Sequence, residues 1–208
     1  MGRHAVQCRY MAIPPEVAFD RYFQTYFPYI PPVRPEDPDS RRFKGRQDLT
    51  VLPATLEGQL RSIQEAFNEA LSNEKQNVPE HAKHPPFHVD YVEASEQNAI
   101  AFLFDEYSFI AITTPLIFAI SDVCLRLSQA ATIAALLGVR GSDEGYNELH
   151  AVLFQILTAF VITHEWAHHV HGHVADGGSL FPSEILGNGG GSLESQVKEV
   201  VADGYSVY

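Results

Sequence analysis

Cysteine is scarce in this 208-residue chain, with only Cys8 and Cys124. Two thiols make no disulfide framework, and Cys124, inside an apolar helical stretch, reads as a small core residue. Basic residues are also in the minority, 14 against 26 acidic ones, giving a formal net charge of −12. Phosphate binding needs a basic surface, so no nucleic-acid partner is expected. No hydrophobic region follows a basic N-terminus, so no secretory signal is read, and the residues after Gly2 lack the Ser or Thr of a myristoylation site. The longest apolar runs, near Phe109 to Ile120 and Ala151 to Thr163, fall short of a bilayer span. Together these absences predict a soluble protein in reducing, cytoplasmic surroundings with no membrane partner.

The 45% hydrophobic content is ordinary for a globular protein, and the length suits one domain with or without an arm. Residues 1–47 read as an N-terminal arm and connector, and residues 48–208 as the domain. In the arm, Pro15 to Tyr29 can form a short aromatic helix carrying Val17, Phe19, Tyr22, Phe23 and Phe27. Pro28, Pro31, Pro32, Pro35 and Pro38 then make an extended connector. Arg41, Arg42, Lys44 and Arg46 read as a solvated basic loop. Two places stay open for the arm, packed on the domain or in a partner's groove.

Within the domain, residues 55–75 repeat apolar side chains at threes and fours from Leu56 to Leu71, which predicts a helix. Pro79 to Pro86 is loop, and His81, His84 and His88 read as surface residues. From Phe87 to Thr113 the period changes to two, broken at Asp105 and Glu106. That pattern predicts a β-hairpin within a three-stranded antiparallel sheet, with a further strand near Leu49 to Leu52. Pro115 to Leu137 reads as a helix stopped by Gly138. A longer helix runs from about Tyr146 to His171, its apolar stripe Leu149, Leu153, Ile156, Leu157 and Phe160 continuing into the histidines that follow. Strands and helices in this order predict an α+β fold.

At the end of that helix, Val161 to Val174 reads V-I-T-H-E-W-A-H-H-V-H-G-H-V. His164 and His168 are four apart, so on a helix both imidazoles can reach one metal ion. Glu165 is turned about 100° away and can lean over a water held at the same place. Two histidines are half of a zinc site, and a third ligand is needed. Gly172 ends the helix, and a glycine-rich loop leads to a final helical segment, Glu194 to Tyr208. There Glu199 and Asp203 are again four apart, which suits one carboxylate on the metal and one on the free N–H of a ligand histidine. Asp176 is the competing third ligand, and Glu199 is preferred because a loop carboxylate so close to the helix lacks support. His171 falls near the same face but about 10 Å along from His164, too far for one ion, and His169 points elsewhere.

With those residues in place, the chain resembles the gluzincin class of zinc metallopeptidases, whose pattern is H-E-x-x-H followed by E-x-x-x-D on a downstream helix. His164, Glu165 and His168 match the first half, Glu199 and Asp203 the second, and His173 fits the longer H-E-x-x-H-x-x-x-G-H form. The metzincin pattern is excluded because it requires Gly at 171 and His at 174. The resemblance covers about the last hundred residues and implies a zincin-like fold. It also implies a zinc cofactor on His164, His168 and Glu199, with Asp203 behind them and Glu165 as general base. A protein or peptide substrate would be cut by an endopeptidase like the small phage-exclusion-type enzymes. It further implies that strand Tyr107 to Thr113, or its partner, pairs with extended substrate. Tyr205 and Tyr208 are candidates for the oxyanion. The chain stops five residues after Asp203, where gluzincins usually continue into the lower wall of the cleft. A fragment, a second chain completing that wall, and a reduced version all stay open. The rival expectation is a non-catalytic, zinc-stabilised interaction domain whose aromatic arm or hairpin binds a partner.

Overall fold

The alternating stretch folds as three strands, β2 (Phe87–Ala94), β3 (Ala99–Phe104) and β4 (Tyr107–Thr113), joined by a short β1 (Phe43–Arg46). The computed structural model describes residues 13–31, 41–74, 85–139, 143–174 and 193–206. Asp105 and Glu106 both take left-handed backbone angles (φ 47° and 66°), the two-residue turn that matches strand twist and closes the β3–β4 hairpin. The sheet order is β1-β2-β4-β3. β4 lies between β2 and β3, parallel to the first and antiparallel to the second. The expected all-antiparallel sheet is therefore corrected to a mixed one. Period-two alternation fixes which side chains share a face, but it is the same whichever neighbour a strand takes.

The expected strand near Leu49 to Leu52 is instead a single 3₁₀ turn, Leu49–Val51, capped by the Asp48 carboxylate accepting from the Thr50 N–H at 2.9 Å. The fourth strand lies inside the basic cluster. Lys44 and Arg46 belong to β1 and Arg42 directly precedes it, so they are not a solvated loop; Arg42, Lys44 and Arg46 pair with Glu96, Glu93 and Asp20.

Both sheet faces are covered. On one, Val92, Ile100, Phe102, Phe109 and Ala111 pack against Ala18, Phe19, Tyr22 and Phe23 of α1 (Pro15–Tyr26). Tyr22 stacks on Phe102 with centroids 3.8 Å apart. Of the two places left open, the aromatic helix takes the first and packs on the sheet. On the other face, Val89, Tyr91, Ile110 and Ile112 meet three helices, α2 (Ala54–Glu74), α3 (Thr114–Gln129) and α5 (Asp143–Val170). Cys124 is buried there, as a small core residue should be. His88, expected on the surface, is buried on β2 beside Asp90, their side chains 3.4 Å apart. His81 and His84 lie outside the described residues.

The helix expected from Pro115 to Leu137 breaks at Ala130, which is extended (ψ 111°), leaving α4 (Ala131–Leu136) as a separate piece. The Ser128 hydroxyl donates to the Leu125 carbonyl just before the break, a local bond that competes with the helical ladder. Gly138, at φ 70°, stops α4 as expected.

The central helix α5 packs against α3, β3, β4 and the terminal helix α6 (Leu193–Ser206). Its buried line is Leu149, Phe154, Thr158 and Ile162, with Leu153, Leu157 and Val161 partly buried beside it. Ile156, expected in that stripe, is 57% exposed, and Phe160 lies outside the core with it. Steps of four on a 3.6-residue helix drift sideways, so Val152, Ile156, Phe160 and His164 form a separate line at the flank of the core. Among the described residues, α5 is the one helix whose length and composition would let it cross a bilayer, which its shorter apolar run did not suggest.

Candidate metal centre

The centre is built where the C-terminal turns of α5 face α6 and the edge of the sheet. The end of α5 is set by Gly172 at φ 67°, a left-handed conformation that glycine adopts without steric cost. Its N–H bonds the His169 carbonyl at 3.1 Å, and the His173 N–H bonds the His168 carbonyl at 2.8 Å. These are the two bonds of a Schellman stop. His169 turns away from the centre, and its ring nitrogen donates to the Phe109 carbonyl of β4 at 2.9 Å, fastening the helix end to the sheet.

On α6, Glu199, Ala202 and Asp203 share one face, and buried Ala202 lets that face come close. Glu199 brings one carboxylate oxygen to 3.1 Å from His164 Nε2 and the other to 3.7 Å from His168 Nε2. The two Nε2 atoms are themselves 3.1 Å apart. Around a tetrahedral ion with bonds of about 2.0–2.1 Å, donor atoms stand about 3.3–3.4 Å from one another. The triangle observed has that size.

The protonation pattern of the donors points the same way. His164 Nδ1 is 2.9 Å from Asp203 Oδ1. A neutral imidazole donating there carries its only proton on Nδ1 and turns an Nε2 lone pair to the triangle. Two such lone pairs and a carboxylate facing one another repel unless a cation or a shared proton lies among them, and two imidazoles with one carboxylate are a donor set that fits a metal. Burial, then the neighbouring His164, holds the His168 pKa down to about 3, so its ring stays neutral and available as a ligand.

Glu165 leaves the triangle for the sheet. Its carboxyl accepts a hydrogen bond from the Ala101 backbone N–H, yet burial first and the nearby Glu199 second push its pKa up to about 8. The Ala101 bond lies on the edge of the sheet that no described strand pairs with. In the β3–β4 register Phe104 faces Tyr107 across the turn as a hydrogen-bonded pair, so Phe102 and Ile100 also bond to β4, and Ala99, Ala101 and Leu103 point their backbone groups outward. β4 is internal, so of the two strands considered for pairing with an extended chain, β3 is the one with an edge.

His164, His168 and Glu199 are thus brought together, with Asp203 behind His164 and Glu165 beside the triangle. His171 is exposed and stacks on His173 rather than entering it. Tyr208 and Asp176 lie outside the described residues, and the Tyr205 side chain is not described either. Sequence reasoning missed the Glu165–Ala101 contact and the closeness of His173 to His168, whose Nδ1 atoms are 3.1 Å apart. The Gly-His step after the helix was the available signal for the second. No family model, no curated protein and no solved structure matches the chain.

Proposed function

We propose that the protein is a zinc-dependent endopeptidase with a zincin-like active centre. The observation that carries the reading is the convergence of both Nε2 atoms and Glu199 at tetrahedral spacing, with Glu165 alongside. His164, His168 and Glu199 would hold the ion, and two imidazoles with one carboxylate suit zinc and leave a fourth position open. Bound zinc supplies Lewis acidity toward a carbonyl and toward a water molecule.

The remaining chemistry belongs to the chain. Asp203 holds His164 in the tautomer that presents Nε2. Glu165, held beside the triangle by the Ala101 amide, takes a proton from the attacking water and passes it to the leaving amine. With the Ala101 N–H taken by Glu165, the outward backbone groups of half-buried Ala99 and Leu103 are those that would pair with an extended peptide and lay its carbonyl beside the triangle. That placement favours a polypeptide substrate over a small molecule.

A non-catalytic zinc-stabilised domain is the rival. Its aromatic arm loses support, because Phe19, Tyr22 and Phe23 are spent on the core. The discriminating experiment presents unfolded proteins and a peptide library to the zinc-loaded chain, with and without chelator. Chelator-sensitive cleavage at peptide bonds is expected. A zinc-loaded protein that cuts nothing across such a library would leave the non-catalytic reading standing.

A further inference from the structure

His168 is 2% exposed, so its ring must find its second hydrogen bond inside the protein. Nε2 faces the ligand triangle, which leaves Nδ1, and that atom lies 3.1 Å from Nδ1 of His173. Two imidazole nitrogens at this distance bond only if one carries a proton and the other does not. A His168 that ligates through Nε2 has its proton on Nδ1. It therefore donates, and His173 accepts through an unprotonated Nδ1.

His173 reaches this position through its backbone. The left-handed Gly172 folds the chain back, and the His173 N–H closes on the His168 carbonyl at 2.8 Å. One residue therefore caps the main chain of His168 and receives the proton of its side chain. The exposed His171 ring lies against His173, 28° between planes and 5.7 Å between centroids.

We propose that Gly172-His173 is a positioning unit for the second ligand histidine, with His173 setting the tautomer and ring orientation of His168 as Asp203 does for His164. The proposal rests on the metal-centre reading above. His173 is not itself a ligand of the same ion, since it approaches His168 from the side of the ring away from Nε2. The two supports differ for a physical reason. Asp203 is exposed and stays solvated, whereas a carboxylate beside buried His168 would have to be stripped of water. A neutral imidazole accepts the same proton at a much smaller desolvation cost.

The test separates the acceptor from the ring. His173→Phe keeps a ring of similar size and removes the acceptor; His173→Asn removes the ring but places an amide oxygen about where Nδ1 stands. Each full-length protein is stripped of metal, checked for folding by circular dichroism, and titrated with Zn²⁺ against a chromophoric chelator. Co²⁺ absorption spectra report the ligand geometry. His173→Phe is expected to bind Zn²⁺ about 10–100-fold more weakly with a shifted Co²⁺ spectrum, and His173→Asn to recover most of the affinity and the wild-type spectrum. If His173→Phe does not fold, His173→Ala takes its place with the same expectation. Wild-type affinity and spectrum in the variant lacking the acceptor, or equal losses in both variants, would overturn the positioning role while leaving the metal centre intact. Failure of the wild-type chain to bind Zn²⁺ in the same titration would overturn the metal-centre reading as well.

Discussion

Asp203 accepts from Nδ1 of His164 at 2.9 Å, 39 positions back along the chain. That bond ties the last helix to the central one at the atom that decides which way the His164 lone pair points. Removing it should leave the ligand present but poorly aimed. Asp203→Ala is expected to weaken Zn²⁺ binding by about 10–100-fold, and Asp203→Asn, which keeps an acceptor oxygen, by less. Competitive chelator titration reads both. Equal affinity in Asp203→Ala and wild type would remove Asp203 from the centre.

Glu165 touches the Ala101 amide and stands outside the ligand triangle, so its chemistry can be removed without its volume. Glu165→Gln should retain zinc stoichiometrically while the cleavage rate falls by about 10²–10⁴-fold. Metal content by atomic absorption beside single-turnover cleavage is the measurement. Wild-type rates in this variant would take Glu165 out of the mechanism.

Phe19 is fully buried against Phe102 and Phe109. A side chain in a loose arm could be cut back with little effect, but one in this cluster leaves a cavity. Phe19→Ala should cost about 3–5 kcal/mol in urea unfolding. A loss below about 0.5 kcal/mol, the level of an ordinary surface substitution, would show that α1 adds nothing to the core.

Gly204 lies inside α6, and a Cβ built there meets nothing within 4 Å. Gly204→Ala should therefore stabilise the helix by about 1 kcal/mol and leave metal affinity unchanged. Weakened zinc binding would mean that the turn carrying Asp203 needs the glycine.

The His168 pKa is held near 3 in the folded protein, against about 6.5 for an unperturbed histidine. Protonation consequently favours the unfolded chain. The stability tied to a neutral His168 is complete above about pH 6.5 and is lost progressively as the pH falls toward 3. In chelator, the wild-type melting temperature should drop more steeply between pH 7 and pH 4 than that of His168→Gln. Parallel pH profiles would show that burial of this ring does not penalise its charge.

Much of the site could be read from spacing alone. His164, His168, Glu199 and Asp203 are paired at intervals of four on helical segments, and helix geometry converts that interval into a shared face wherever the helix lies. The strand segments 87–94, 99–104 and 107–113 were legible for the same reason, since period two reports a pleat. Ile156 and Phe160 misled because apolar character was taken as burial, whereas the line they share with His164 drifts off the core. His88 and the basic residues of β1 were misplaced because their polarity suggested solvent, while Asp90, Glu93, Glu96 and Asp20 supply partners from elsewhere.

By itself, then, the amino-acid order determined which residues stand on one helical face and that Gly138 and Gly172 stop their helices, because both depend on neighbours within about one turn. The folded chain alone decided that β4 slips between β2 and β3, that Glu165 rests on the Ala101 amide, and that His173 comes to the side of His168. Those relationships join atoms from distant parts of the sequence. They are set by how helices and sheet bury their apolar surfaces against one another, which no local spacing encodes.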